Sequence, residues 1–442
     1  MSRKAKGTMI RKFVIWGLLF PLISTVSACM GTKGGDEGGG KAAEGKKEPV
    51  ELVFYSTSGD FDTDGFMTMF GNKIKEKYPY VTPKFIPYGK DTSPDKLLTA
   101  GEPLDIMYLS SGQTRYLLDY EIQYDISELI KKYKYDLSRM EPTTVEIQRM
   151  IANGGIYGLP VYNNTMTMFY NKDLFDRFGV MYPKDGLTWD ELYELAKVMS
   201  RFDGAQQYQG ITLSLAHTMP TNQFSIPYTD SHNKVNYTSG DFKKLFTAWT
   251  RFYQLTGNEV NKKTVSYTVQ VNAFDKDKTI AMFLGLAALG PARFKEVLNW
   301  DVASFPVFQE KPEIGPQPYP TYFYITKTSK HKDVAFEVIS YLTSDEFQLH
   351  LARNGLFPAL KSRDAMKEYG QNIPFLKNKN MNGFLPKQFA PPAKPSTFQS
   401  VAHTPLHGAF DAVLLKEKDI NTALREAEEK ANKAVEAQLA GK

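Results

Sequence analysis

The chain has 442 residues with a single cysteine, which excludes an intrachain disulfide framework. Of its 54 Lys+Arg, five (Arg3, Lys4, Lys6, Arg11 and Lys12) precede that cysteine, Cys29, and no acid does. The remainder carries 49 cations against 49 anions, without the concentrated basic surface that a nucleic-acid partner requires.

Behind the basic start, Phe13 to Val26 form an apolar run too short to serve comfortably as a permanent membrane span, so residues 1–28 read as a secretory signal peptide. Ser27 and Ala28 ahead of Cys29 resemble the lipobox of bacterial lipoproteins. The resemblance implies that Cys29 becomes a lipidated N-terminus and anchors the protein to the cell membrane on its extracytoplasmic side. Residues 29–48, with no large apolar side chain from Gly31 to Gly45, then read as a flexible tether.

Folding is expected to begin near Pro49. Val50 to Tyr55 predict a buried strand, Ser56 to Asp64 a polar loop, and Phe66, Met69, Phe70 and Ile74 one face of a helix that ends before Tyr78-Pro79. Val81 to Ile86 predict a second strand, Pro94 to Ala100 a short helix, and Leu104 to Leu109 a third strand. Strand, helix, strand at this spacing implies right-handed parallel crossovers in a covered sheet. Ligands of such sheets bind beyond the carboxyl ends of the strands, which singles out Ser56 to Asp60 and Ser110 to Gly112. The roughly 390 residues after the tether are enough for two lobes, and no repeat period is visible.

Further along, Tyr170-Asn171-Lys172-Asp173 predict a strand turning into the helix of Leu174, Phe175 and Phe178. Thr188 and Glu191 are spaced as a capping box, which makes Trp189 a packed helix-start residue. The last helix places Leu424, Ala427, Ala431, Ala434, Val435 and Leu439 on one side, with Glu426/Lys430 and Glu429/Lys433 spaced for exposed pairs.

Two metal-like patterns occur. Asp60-Phe61-Asp62-Thr63-Asp64-Gly65 matches the first half of a calcium loop and makes Asp60, Asp62 and Asp64 a weak cation candidate, but Gly71 stands where the bidentate Glu belongs. His403-Thr404-Pro405-Leu406-His407 has the spacing of a helical metal pair, yet Pro405 is expected at a helix start, leaving His403 outside it. His-Glu-x-x-His, Gly-x-Ser-x-Gly, a phosphate-binding glycine loop and a cysteine nucleophile are all missing, so neither catalysis nor a cofactor is expected. Paired carboxylates of a surface glycosidase, and a lipid-anchored adhesion protein, are the rival readings.

The middle of the chain carries a resemblance. Tyr157-Gly158-Leu159-Pro160-Val161-Tyr162, Met168 to Phe175, Gly179-Val180 and Leu187 to Leu192 follow one another; Ala281-Met282-Phe283, Asp301 to Pro306, Ala335 to Glu346, Gly355 to Ala359 and Asn421 to Leu424 come behind them. In this order they resemble the family 1 extracellular solute-binding proteins, the receptors of carbohydrate ABC importers. The resemblance implies an α/β fold of the two-lobe, type II-like periplasmic-binding-protein kind, each lobe a mainly parallel sheet flanked by helices. The implied division is 49–162 with 321–360 for the N-terminal lobe and 163–320 with 361–442 for the C-terminal lobe. The chain would cross between lobes near Tyr162 to Asn164, near Tyr319 to Tyr322 and after Ala359, and the lobes would close on ligand by hinge motion. The implied partners are a carbohydrate, most simply an oligosaccharide, and a membrane-embedded ABC permease, with the receptor itself a monomer.

Sugars present hydroxyls, which take Asp, Asn, Ser or Arg partners, and C–H patches, which pack on aromatic faces. The expected ligand residues are therefore Ser58, Asp60 and Phe61 after the first strand, Ser110 and Ser111 after the third, Tyr162 and Asn164 at the first crossing, and Tyr322 near the second. Two positions depart from the family pattern: Asn164 stands where relatives carry an acidic sugar ligand, and Leu286-Ala287-Ala288-Leu289 where they carry an aromatic platform.

Overall fold

The computed structural model describes residues 47–294 and 298–441. The expected signal peptide, Cys29 and all but the end of the tether lie outside them. In chain order the strands are β1 (Val50–Tyr55), β2 (Val81–Ile86), β3 (Ile106–Ser110), β4 (Gly158–Asn163), β5 (Met166–Asn171), β6 (Arg201–Asp203), β7 (Gln206–Leu213), β8 (Ile280–Leu286), β9 (Trp300–Ala303), β10 (Thr321–Ile325) and β11 (Phe357–Pro358). They form a six-stranded sheet in the order β11-β4-β10-β3-β1-β2 and a five-stranded sheet in the order β6-β7-β8-β5-β9.

Alternation along the strands decides which side chains fill which layer. In β1, Leu52 and Phe54 join the cluster on one face of the larger sheet with Phe66, Phe70 and Tyr108, while Val53 and Tyr55 join Leu97, Leu117 and Ile147 on the other. In β10 the same rule sends Phe323 and Ile325 to the first face and Tyr322 and Tyr324 to the second. Pro83 is tolerated because β2 is an edge strand, where a missing N–H breaks no ladder bond. The five-stranded sheet packs through Met168, Ile211, Met282 and Leu284 against helices that include Trp189–Met199, Gly240–Thr250, Gln399–Leu414 and Ile420–Ala440.

Several expectations need correcting. Parallel pairing is confined to β1/β2, β1/β3 and β7/β8, and the other pairs are antiparallel, so neither sheet is mainly parallel. The crossings are the reason. A strand that returns from the other sheet enters at the edge from which its neighbour left, as β10 does beside β4, and must run against it. The helix Gln399–Leu414 contains both His403 and His407, with Pro405 in its interior. Burial of Ala402, Leu406, Ala409 and Phe410 overrides the proline, and Thr404 Oγ1 donates to the Ser400 carbonyl at 3.1 Å. In the last helix Leu439 is exposed, and Glu426 and Glu429 pair with Lys418 and Arg425 instead of Lys430 and Lys433. The capping box is present: Thr188 and Glu191 bond reciprocally, and Trp189 is buried with its indole N–H on Gln223 Oε1 at 3.1 Å.

Candidate functional site

The chain passes between the two sheets at 164–165, at 304–320 and again beyond β11. The first two passages are stitched together, since the Tyr319 amide donates to the Asn164 carbonyl at 2.8 Å. The loop after β3 is tied to the same place by the Ser111 amide, which donates to the Pro320 carbonyl at 2.8 Å. Sequence dictates this local geometry. Pro316, Pro318 and Pro320 alternate with Gln317 and Tyr319, which holds the second passage extended and leaves its few N–H groups to bond outward.

Most of the expected site residues meet around this knot. In the loop after β1, Ser58 Oγ donates to Asp60 Oδ2 at 2.5 Å and the Ser58 amide donates to Ser56 Oγ at 3.1 Å, leaving Asp60 exposed at the loop tip. Phe61 lies edge-on to Phe70 at 5.7 Å and to Tyr108 at 6.4 Å, half-buried, so it seals the core beneath the loop more than it faces outward. Ser110 and Gln113 form a capping box that fixes the loop after β3, with Ser110 Oγ 3.1 Å from Gln113 Oε1. Asn164 Oδ1 accepts from the Thr165 amide at 2.9 Å and the Ala288 amide at 3.3 Å, so this amide oxygen joins the first crossing to the segment after β8. Tyr162 is 7% exposed, and burial, followed by the charge of Asp60, pushes its phenol up.

Tyr322 does not reach the site. It is fully buried on the far face of β10, and its hydroxyl donates to the Thr144 carbonyl at 2.7 Å. The weak calcium candidate is not assembled either: Asp62 is spent as the cap of the helix Thr63–Phe66, accepting from the Gly65 amide at 2.8 Å, and Asp60 bonds Ser58. Among the described residues no three His, Cys, Asp or Glu side chains are grouped to hold a metal ion.

The residue that joins the site is Tyr319. Burial raises its phenol, a hydrogen bond from Ser110 acts in the opposite direction, and the Asp60 charge raises it further, which places this hydroxyl between the two loops. Gly112 is needed beneath it, because a Cβ there would overlap the Tyr319 hydroxyl. From the other sheet, His217 meets the Tyr319 ring edge-on at 5.9 Å and Tyr267 at 6.5 Å, with Nδ1 2.8 Å from Ser214 Oγ. Burial lowers the His217 pKa to about 4, so it is a neutral imidazole at pH 7. Sequence reading missed Tyr319, His217 and Tyr267. The alternating prolines were a usable signal for the first; an isolated His in Leu215-Ala216-His217-Thr218 gave none.

A cavity of about 60 Å³ opens beside Tyr319, lined by Ser111, Gly112, Ile147, Tyr228 and Gln317 and closed by 392–396. A larger hollow of about 490 Å³ lies between the start of the helix Trp189–Met199, one side of the helix Gly240–Thr250 and the segment 307–310, and none of the site residues lines it. The knot around Tyr319 thus offers hydroxyls, the amides of Asn164 and Gln317, the Asp60 carboxylate, a neutral imidazole and aromatic faces from both sheets, with Lys394 on the wall of the adjoining cavity. Such a set suits a polyhydroxylated solute.

A family model described as bacterial extracellular solute-binding protein matches residues 62–349. A binding protein of Brucella abortus is 32% identical over 95 residues, an alignment that spans only 22% of either chain. The sn-glycerol-3-phosphate-binding periplasmic protein UgpB of Rhizobium meliloti is 22% identical over 391 residues, covering 81% of this chain and 88% of that one. Among solved structures, an ABC substrate-binding protein from Listeria monocytogenes in complex with cycloalternan superposes with a TM-score of 0.71 at 19% identity, covering 87% of this chain and 99% of the other. At that identity the superposition shows the fold alone, two α/β lobes.

Proposed function

The chain belongs to the bacterial extracellular solute-binding protein family, and we propose that its solute is a carbohydrate, an oligosaccharide, which it hands to the permease of an ABC importer. The observation that carries the reading is the convergence on Tyr319 of Asp60 and Ser110 from one sheet, His217 from the other and Asn164 from the first crossing. A ligand held by groups from both sheets is gripped fully only when they approach, so binding favours the closed arrangement. Lobes of 49–162 with 321–360 and of 163–320 with 361–442 would move about these crossings. The full ligand set proposed is Ser58, Asp60, Phe61, Ser110, Ser111, Tyr162 and Asn164, joined by Tyr319.

The resemblance to a glycerol-phosphate binder supplies the comparator. Asp60 is the one carboxylate in the gathered set and opposes a phosphate, while Lys394, on the wall of the cavity beside Tyr319, would favour one. Lipidation at Cys29 behind the tether would hold a monomeric receptor beside its permease at high local concentration without fixing its orientation. Among the described residues no helix is long and apolar enough to cross a membrane.

Calorimetric titration with maltotetraose, cycloalternan, D-mannitol and sn-glycerol-3-phosphate tests the substrate class. Stoichiometric binding of a glycan, recovered unchanged, supports the reading. Turnover of the glycan would replace it with an enzyme, and binding confined to glycerol phosphate would replace the carbohydrate.

A further inference from the structure

The wall that closes the cavity beside Tyr319 is the segment Ala390-Pro391-Pro392-Ala393-Lys394-Pro395-Ser396. Its three prolines fix φ and withhold their amides, so the segment cannot join a ladder and must be anchored in other ways. The Ala390 amide donates to the Pro316 carbonyl at 3.3 Å, and the Ala393 amide to Gln317 Oε1 at 2.6 Å. Ser225 Oγ donates to the Pro391 carbonyl at 2.6 Å, and the Ser396 and Thr229 hydroxyls are 2.7 Å apart. Ser225 holds a φ of 56° to do this, a left-handed conformation that costs a residue with a side chain. Lys394 is thus carried on a braced, low-entropy backbone.

The polar groups that line the cavity divide into spent and unspent. Gln317 uses both ends of its amide, accepting from Ala393 and donating to the Asn222 carbonyl at 2.7 Å. The Tyr228 hydroxyl is 3.0 Å from His403 Nδ1, and Ser396 is taken by Thr229. The side chains of Ser111, Lys394 and Gln399, by contrast, have no hydrogen-bond or ion-pair partner among the described residues. Ser111 comes from the loop after β3 and the other two from the second half, so unspent donors line one cavity from both sides. Among the described residues that line it, Lys394 alone carries a charge. Asp60 lies outside this lining and acts on Tyr319 from the loop after β1. At about 60 Å³ the cavity has room for a few water molecules, and so for a substituent and not a sugar ring.

We propose that this cavity is an anion subsite in which Lys394, with Ser111 and Gln399, takes the carboxylate of an acidic sugar, so that the glycan carries a uronate unit. The inference rests on the crossing at Tyr319 being the carbohydrate site. A uronate differs from a neutral hexose only in the group one atom beyond the ring, which is the size of group the cavity admits. Its carboxylate accepts from an ammonium and from neutral donors at once, whereas a primary alcohol in the same place leaves the ammonium uncompensated. The remaining hydroxyls of the ring are the partners suited to Asp60 and Tyr319. A phosphate ester fits less well, because its second negative charge is repelled by Asp60. Lys394 is therefore a specificity residue: it selects acidic over neutral glycans and sets which end of the ligand enters the second half.

Calorimetric titration of the full chain in detergent compares two pairs of glycans that differ in one kind of group. The first is maltotetraose against maltotetraose oxidised to a carboxylate at C6 of its non-reducing unit; the second is trigalacturonate against its carboxyl-reduced form. In at least one pair the acid should bind about tenfold more tightly at low salt. The gain should shrink as salt is raised, because Lys394 is exposed. Lys394→Gln should bring the ratio of the two affinities to within about twofold, and Lys394→Arg should keep it. Neutral glycans that bind as well as their acids in both pairs, or a ratio that survives Lys394→Gln, overturn the proposal. Binding of sn-glycerol-3-phosphate through Lys394 with both acids ignored overturns it too, by giving the lysine to a phosphate. Neutral glycans bound without any gain from the acid leave the carbohydrate reading standing and remove the uronate. Failure of all four glycans refutes the carbohydrate reading and the uronate with it, so the two failures are told apart.

Discussion

Tyr322→Phe separates a core tyrosine from a ligand tyrosine. The hydroxyl is fully buried and donates to the Thr144 carbonyl at 2.7 Å. Phenylalanine keeps the ring and its contact with Tyr324 at 5.7 Å, so only the hydrogen bond is lost. A net contribution of about 1 kcal/mol for such a bond, plus the cost of leaving a buried carbonyl short of a partner, sets the destabilisation at about 1–2 kcal/mol. Urea unfolding followed by tryptophan fluorescence should show a lower midpoint with an unchanged slope, because the surface exposed on unfolding is the same. Affinity for the best glycan of the titration series should stay within about twofold, less than 0.5 kcal/mol. An unchanged midpoint together with a tenfold loss of affinity would refute the reasoning, by placing that hydroxyl on the ligand.

Tyr319→Phe should do the reverse, weakening glycan affinity by roughly 1–2 kcal/mol, about five- to thirty-fold, with a smaller effect on the urea midpoint. Gly112→Ala forces a Cβ into the Tyr319 hydroxyl and should cost about 1–3 kcal/mol of stability; combining it with Tyr319→Phe should recover part of that loss, and strictly additive unfolding free energies would refute the contact. Cys29→Ala should move the protein from the membrane fraction to the medium with calorimetric glycan affinity unchanged, and loss of binding would contradict the separation of anchor from receptor.

How much of this was legible depends on the range of the interaction that fixes each feature. The strands Val50–Tyr55 and Val81–Ile86, the capping box at Thr188 and the packed Trp189 follow from side-chain period and neighbours within one turn, and they appear where the sequence put them. Strand direction does not, because whether β10 runs with or against β4 depends on which edge of the sheet the returning chain meets. Pro405 misled for a related reason: a local helix-breaking preference is outweighed by the burial of Leu406, Ala409 and Phe410, which no local pattern reports.

The site shows the same division within three residues. Tyr319 and Tyr322 are the same residue type near the same crossing, and only the prolines around the first offered a reason to prefer it. What separates them is the point at which β10 begins. From Thr321 onward the strand alternates, so Tyr322 is committed to one face of the sheet and Phe323 to the other, and both become core. Tyr319 lies two residues ahead of that start, between prolines that deny it a ladder, and its side chain is free to cross the gap toward Ser110 and His217. A ligand residue at a lobe crossing is thus one that the sheet has not yet claimed. Asn164, in the two-residue gap between β4 and β5, is placed in the proposed site on the same grounds, while Tyr162, two residues earlier inside β4, is held mostly in the wall.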